Sequence, residues 1–482
     1  MNFGIVINIV SLSIIILSIF MLPSVGIAYF YKTSEVDEFL LSFFITFLTG
    51  AILYSLTRKY KHEEIRYKEA FASVTFTWIS IAFFGSLPYL LTGALTSFTD
   101  AYFESMSGFT TTGASVIADV ESLSKGILFW RSITQWIGGM GIIVFVLAVL
   151  PVLGTGGMQL FRAEVPGVTV DKIRPRIVDT AKLLWLIYLG LTSFITGLYA
   201  LCGMSLYDAV CHAFTTISTG GFSTKNASLA GFNNILIEYV AGCCMLLGSI
   251  NFVLYFLLLK RDIVKVFKNN ELRFYLSVIL VLLVLITFNL KLNIYKSFEE
   301  SFRYTLFQIV SLITTTGYAT ADYTKWNFFA QTLILFLMFF GGMVGSTAGG
   351  VKQLRIYIML KQIYKEFYHL IHPRAITSIK INEKALSQEV CDSIWSFIFL
   401  ALIVWIISSI IVSATGIDIV TSLSSVASAL NNVGPALGQA GPASTYAPFP
   451  VPAKWVLVLC MLIGRLEYYT VLILFVPAFW KK

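Results

Sequence analysis

The chain has 482 residues, 57% of them hydrophobic and 12% charged, with a formal net charge of +8. Soluble domains carry roughly 25% charged residues, so this composition excludes an ordinary soluble protein and points to a chain built into a membrane. The positive charge does not describe a nucleic-acid surface either, because 24 of the 34 Lys and Arg fall in segments 58–68, 162–182, 260–273, 352–384 and the last two residues. These alternate with less basic loops that carry Asp37, Asp100, Asp208, Glu299 and Asp418. Cytoplasmic loops are enriched in Lys and Arg, which puts the basic segments and both termini on the cytoplasmic side. Six cysteines (Cys202, Cys211, Cys243, Cys244, Cys391 and Cys460) have no paired spacing. Neither a disulfide framework nor a zinc site is indicated.

In chain order, residues 3–21 come first: an uncharged stretch long enough to cross roughly 30 Å of hydrocarbon as a helix. It exceeds a signal-peptide core and lacks a basic start, so it reads as a retained helix. Further apolar spans are predicted at 38–57, 70–93, 127–150, 183–202, 235–259, 274–290, 327–340, 394–413 and 454–476, the first extending over 3–30. After residue 69 each pair of spans encloses a shorter apolar segment, at about 99–109, 206–217, 301–313 and 418–430. Segments this short do not cross a membrane but suit re-entrant helices. The organisation is therefore all-α and polytopic. An N-terminal pair of helices (1–68) precedes four parallel helix–pore helix–peptide–helix repeats at 69–161, 162–262, 263–384 and 385–482, set around one central pore.

Each short segment runs into a polar, glycine-ended peptide. The four are Thr110–Thr111–Thr112–Gly113, Ser218–Thr219–Gly220–Gly221, Thr314–Thr315–Thr316–Gly317 and Asn431–Asn432–Val433–Gly434. Asp100 and Asp208 each stand 13 residues before their glycine, which supports the register of the first two units. Non-helical backbone at membrane depth is tolerated only where it lines a cavity or is packed in protein. Glycine permits positive φ, and four such strands around an axis would present rings of carbonyl oxygens in place of a cation's hydration shell. The peptides are read as a selectivity filter for a monovalent cation, with the threonines supporting its backbone.

The second span of the third repeat is interrupted by "FFGGMVGSTAGGVKQLR". Gly341, Gly342, Gly345, Gly349 and Gly350, with Ser346 and Thr347 among them, disfavour continuous helix at about 1 kcal/mol per glycine against alanine. A P-loop is ruled out because Val351 stands where its lysine belongs. Two readings remain, an irregular loop below the third filter and a kink for close helix packing. Arg465 lies inside the last apolar span, where a charge is expensive and faces a cavity or a partner. Glu467 is two residues away and on another face of a regular helix. Arg131 reads as an outer structural contact, with a role in the pore as the alternative. Asp100, Glu104 and Asp208 read as outer acids that either concentrate cations or are simply solvated, and His212 reads as a packed residue.

With these peptides, the extra N-terminal helices and the interrupted third repeat, the chain resembles the TrkH/TrkG/KtrB superfamily of potassium transporters, nearest its TrkH-type members, over essentially its whole length. The resemblance implies a potassium-uptake subunit of the bacterial inner membrane, a homodimer working with a cytosolic nucleotide-binding TrkA ring. It implies K+ at the filter residues, with no organic cofactor. Within the superfamily, glycine in all four filters goes with potassium and serine in the first with sodium; this chain has Gly113 there. The fourth peptide, "NNVGPALG", departs from the threonine pattern. The resemblance also implies that the glycine loop obstructs the pore as a gate and that Arg465 projects beside it. Two rivals are a sodium- or proton-coupled symporter and, from a different class, a membrane enzyme. The first calls for inverted repeats and mid-membrane carboxylates, whereas these repeats are parallel and the spans contain almost no buried Asp or Glu. The second calls for clustered catalytic partners, and four scattered histidines do not supply them.

Overall fold

The computed structural model describes residues 1–149 and 177–481, apart from positions 62, 64, 376 and 383. The boundary at 161/162 and residues 162–176 of the second basic segment lie outside the described residues. The uncharged N-terminal stretch is one helix, Phe3–Phe30, started by Asn2, whose side chain accepts from the Gly4 N–H. It packs along Val36–Thr57 and Tyr67–Gly85. The close crossing with Val36–Thr57 depends on Gly50, because a Cβ there would press on Ile15. A buried Asn8–Thr57 hydrogen bond of 3.2 Å closes one end of that pair.

Four units follow. The first runs Tyr67–Gly85 (continued by Leu87–Leu91), Phe98–Phe109 and Lys125–Val149. The second runs Ile177–Leu201, Leu206–Ile217 and Ile235–Ser249 with Phe252–Leu259. The third runs Asn270–Asn293, Phe298–Ile313 and Phe328–Leu337 with Gln353–Ile371. The fourth runs Gln388–Ser413, Ile419–Leu430 and Val451–Arg465 with Tyr469–Leu472. The four short helices, hereafter the pore helices, begin after Ser97, Ser205, Ser297 and Asp418, residue types that favour a helix start. Among the described residues, six helices are long and apolar enough to cross a membrane, and two bent pairs raise the number to eight. The only paired strands among the described residues are the two-residue Lys380–Ile381 and Lys384–Ala385.

Outer helices show two faces. On Gln388–Ser413, Val390, Ile394, Phe397 and Ala401 are buried, whereas Phe399, Leu402, Ile406 and Ile410 are exposed. Apolar residues exposed at helical spacing are what hydrocarbon, rather than water, accommodates. At one end of the molecule the Asn2 amide donates to Glu69 (2.8 Å) and Lys68 Nζ to the Lys481 carbonyl (2.6 Å). Asn270 N donates to Asn382 Oδ1 at 2.9 Å, joining two of the basic segments.

Two spans predicted as continuous are not. The 235–259 span bends by 96° between Ser249 and Phe252, and the 454–476 span by 114° after Arg465. At the first break Asn251 leaves the helix and caps the next one. At the second, Glu467 and Tyr468 both adopt positive φ (56° and 58°), so the turn there is left-handed at two successive side-chain-bearing residues. Arg465 is therefore the last residue of its helix rather than an interior one.

Candidate functional site

Each pore helix ends in the same backbone device. In the first, Thr111 N donates to the Gly108 carbonyl (2.9 Å) and Thr112 N to that of Ser107 (2.9 Å). The equivalents are Thr219 to Thr216 (3.0 Å) with Gly220 to Thr215 (2.8 Å), and Thr315 to Leu312 (3.0 Å) with Thr316 to Ser311 (2.9 Å). In the fourth they are Asn432 to Ala429 (3.3 Å) with Val433 to Ser428 (2.9 Å). This is a Schellman ending, which requires a left-handed residue after the cap and normally uses glycine there. Here that residue is Thr111, Thr219, Thr315 or Asn432, with φ of 53–55°. A β-branched residue in this region is a genuine outlier, of the kind that collects at functional sites. Two residues later Gly113, Gly221, Gly317 and Gly434 turn left-handed again, with φ between 76° and 102°.

The four peptides close on one another. A Cβ on Gly113 would strike the Gly220 carbonyl, one on Gly221 that of Thr316, one on Gly317 that of Val433, and one on Gly434 that of Thr112. Each glycine thus abuts the third residue of the next peptide, in chain order and back to the first. The result is a single ring of four. Thr110 and Thr112 hydroxyls lie 2.7 Å apart, and those of Thr314 and Thr316 2.8 Å. Asn432 Nδ2 donates to Thr112 Oγ1 (2.9 Å) and to the Met461 carbonyl (3.0 Å), joining the fourth peptide to the first. Three further braces have no signal in the sequence: Tyr446 donates to the Gly434 carbonyl (2.9 Å), Tyr318 to the His212 carbonyl (3.2 Å), and Gln135 reaches the second peptide. His212 is fully buried between the Asp208 carbonyl and Ser223 Oγ, a packed residue as expected.

Residues 341–350 form a loop pinched at its neck, where Gly341 N donates to the Val351 carbonyl (2.9 Å) and Gln353 Nε2 to that of Gly341 (2.8 Å). Its body docks on the break in the second unit: Met343 N donates to the Ser249 carbonyl and Phe252 N to that of Gly345, both at 3.0 Å. Ser346 Oγ donates back to the Met343 carbonyl (2.6 Å), and Val344 N donates to Glu271 (2.8 Å). The tip meets the second, third and fourth units. Thr347 Oγ1 donates to the Ile217 carbonyl of the second unit (2.8 Å), and Gly349 N to Thr315 Oγ1 of the third (2.7 Å). A Cβ on Gly349 would press on the Asn431 carbonyl of the fourth. Arg465 completes the set, donating to the Thr347 carbonyl (2.8 Å) and to that of Gly138 in the first unit (2.9 Å). Glu467 pairs instead with Arg355 (2.6 Å), and Lys352 donates to the Ala348 carbonyl. Lys352 and Arg355 are buried and belong to this assembly.

The outer acids are not free charges. Glu104 is fully buried and bonded to Arg131 at 2.9 Å; Arg131 also donates to the Ser223 carbonyl and covers the Phe222 ring. Removing one partner of such a pair typically costs about 3–5 kcal/mol. Asp100 pairs with Lys454 (2.7 Å), and Asp208 accepts from Ser205 (2.6 Å) and Thr224 (2.7 Å). Glu69, Glu104, Glu238 and Glu271 are buried, and of these only Glu238 falls within a predicted span. Each accepts a hydrogen bond: from Asn2, Arg131, Arg303 and Val344 respectively. In the loop beyond the first peptide, Asp119 accepts from Asn226 (2.8 Å), which holds its carboxyl below the usual carboxylate range.

Known proteins share this arrangement's sequence and fold. The family model TrkH, described as a cation transport protein, matches residues 35–482. The chain belongs to the TrkH family. It is 41% identical over the full length of both chains to the Trk system potassium uptake protein TrkH of Vibrio parahaemolyticus. It is 39% identical, again over both full lengths, to the TrkH of Escherichia coli K12. The Trk system potassium uptake protein TrkG of the same strain is 38% identical over 96% of each chain. The crystal structure of the potassium transporter TrkH from Vibrio parahaemolyticus superposes with a TM-score of 0.91 over the whole of both chains, at 39% identity. These TrkH relatives are named as transporters, and the chain shares their polytopic helical fold.

Proposed function

We propose that this chain is the potassium-translocating subunit of a Trk-type uptake system in the bacterial inner membrane, with the ring of four peptides as its selectivity filter. The observation that carries the reading is the closure of the ring: four peptides of one backbone conformation, each glycine against the next peptide's third carbonyl. In this reading, backbone carbonyl oxygens of the four peptides replace the hydration shell of a monovalent cation. The C-terminal ends of the pore helices add partial negative charge below them. Among the described residues, the buried Glu69, Glu104, Glu238 and Glu271 each accept a structural hydrogen bond. The reading is therefore channel-like rather than a sodium- or proton-coupled symport. Flux of potassium, rubidium and sodium into liposomes holding the purified protein tests it. Potassium and rubidium pass well ahead of sodium; equal rates for all three would remove the filter assignment.

The loop 341–350 with Arg465 is the gate in this reading, since together they touch every unit directly beneath the ring. The helix Gln353–Ile371 continues straight from the loop and exposes Leu360, Tyr364, Phe367 and Ile371 at three- and four-residue intervals. That apolar stripe supports a homodimer contact. The exposed Lys260, Arg261, Lys268, Arg374 and Lys380 supply a positive surface for a TrkA-type nucleotide-binding ring on the cytoplasmic side, to which the basic segments and both termini are assigned. Native mass spectrometry reads both contacts. Tyr364→Glu with Phe367→Glu splits the dimer, and reversing the five basic residues abolishes binding of the ring. A dimer that survives the first change, or a ring that survives the second, refutes the corresponding surface.

A further inference from the structure

The second peptide differs from the others at its third position. Thr112, Thr316 and Val433 occupy that position elsewhere, whereas here it is Gly220, followed at once by Gly221. Two successive glycines have more conformational freedom than any other dipeptide, which makes this the weakest arc of the ring. The space a side chain would fill is taken by Gln135: a Cβ on Gly220 would run into its amide group. Gln135 comes from the helix Lys125–Val149 of the first unit and is fully buried. Its Nε2 donates to the Gly220 carbonyl at 2.6 Å, and its Oε1 accepts from Phe222 N at 3.0 Å. The two partners are a pure acceptor and a pure donor, so they also determine which way the amide points.

We infer that Gln135 is a positioning residue for ion discrimination, clamping the Gly220–Phe222 arc from the neighbouring unit so that the Gly220 carbonyl keeps its direction. That carbonyl is the one Gly113 abuts, so the clamp also holds the junction between the first and second peptides. Because Gln135 bridges a donor and an acceptor on either side of Gly221, rotation of the intervening peptide planes breaks at least one of its bonds. The inference rests on the filter reading above and assigns to a residue outside all four peptides a part of the filter's selectivity.

The test uses the full-length protein in liposomes, reading the ratio of potassium to sodium flux. Gln135→Ala lowers that ratio by about tenfold, equivalent to the ~1.4 kcal/mol upper range of one buried hydrogen bond. Gln135→Met, similar in length but with no donor and only a weak acceptor, lowers it likewise and serves where the alanine variant does not reach the membrane folded. Gly220 is not in the left-handed region, so Gly220→Ala keeps the backbone accessible and acts by displacing the amide. Its effect and that of Gln135→Ala do not multiply in the double variant, because both remove one clamp. A parental ratio in Gln135→Ala and Gln135→Met, while Gly113→Ser alters it in the same assay, overturns this inference and leaves the filter reading standing. Multiplying losses in the double variant overturn it as well. A parental ratio in Gly113→Ser too removes the filter reading itself.

Discussion

Deleting residues 344–348, or replacing Arg465 by alanine, raises basal potassium flux by at least about tenfold, the effect of a barrier lowered by ~1.4 kcal/mol. The loop tip touches the second, third and fourth units, and the arginine joins it to the first. If the loop is the gate, an obstruction so tied stays in place without a partner. On the gate reading, Arg465 also presents a buried positive charge to a passing cation. Two unit charges about 6 Å apart at an effective dielectric of about 20 repel by roughly 3 kcal/mol, enough to hold back a cation. The deletion and the substitution act on one element, so the double variant gains less than the product of the single effects. Arg465→Lys separates charge from tether: a single ammonium does not span both carbonyls in the planar fork of a guanidinium. Flux near the parental level in that variant assigns the barrier to charge, and flux near that of alanine assigns it to the tether. If folded Arg465→Ala and the deletion both conduct no better than the parent, the loop is packing and the gate reading fails.

Gly113→Ser raises sodium permeability relative to potassium by about tenfold or more. The backbone at Gly113 has φ of 82°, and a Cβ there meets the Gly220 carbonyl. A side chain in left-handed backbone costs roughly 1–2 kcal/mol by itself, and the displaced carbonyl belongs to the next peptide. One substitution therefore disturbs two quarters of the ring. Since the same contact recurs at Gly221, Gly317 and Gly434, alanine at any of them has the same direction of effect. The measurement is the reversal potential of the reconstituted protein under opposed potassium and sodium gradients. An unchanged potential in a variant that keeps its melting temperature removes the glycines from selectivity.

Much of the architecture is readable along the chain. The pore helices observed at Phe98–Phe109, Leu206–Ile217, Phe298–Ile313 and Ile419–Leu430 lie within three residues of the predicted segments. Their signal is local: an apolar segment too short to span and a polar glycine peptide behind it. The glycine loop was legible for the same reason, because five glycines in ten residues defeat a helix whatever surrounds them. The bends after Ser249 and Arg465 had no such signal. Glu467 and Tyr468 are ordinary helix residues by type, and their left-handed backbone accompanies a Glu467–Arg355 ion pair spanning 112 positions of sequence.

The sequence by itself determined the membrane class, the fourfold repeat, the order of the elements and the four peptides, because hydrophobicity, segment length and glycine act through neighbouring residues. Only the tertiary structure decided that the second residue of each peptide is left-handed. It also decided that the ring closes glycine against carbonyl, that Gln135 fills the place of a missing side chain, and that Glu104, Lys352 and Arg355 are buried in bonds rather than solvated. The physical reason is the same in each case. A strained backbone or a buried charge is unfavourable locally, and it persists only because hydrogen bonds from distant segments offset its cost.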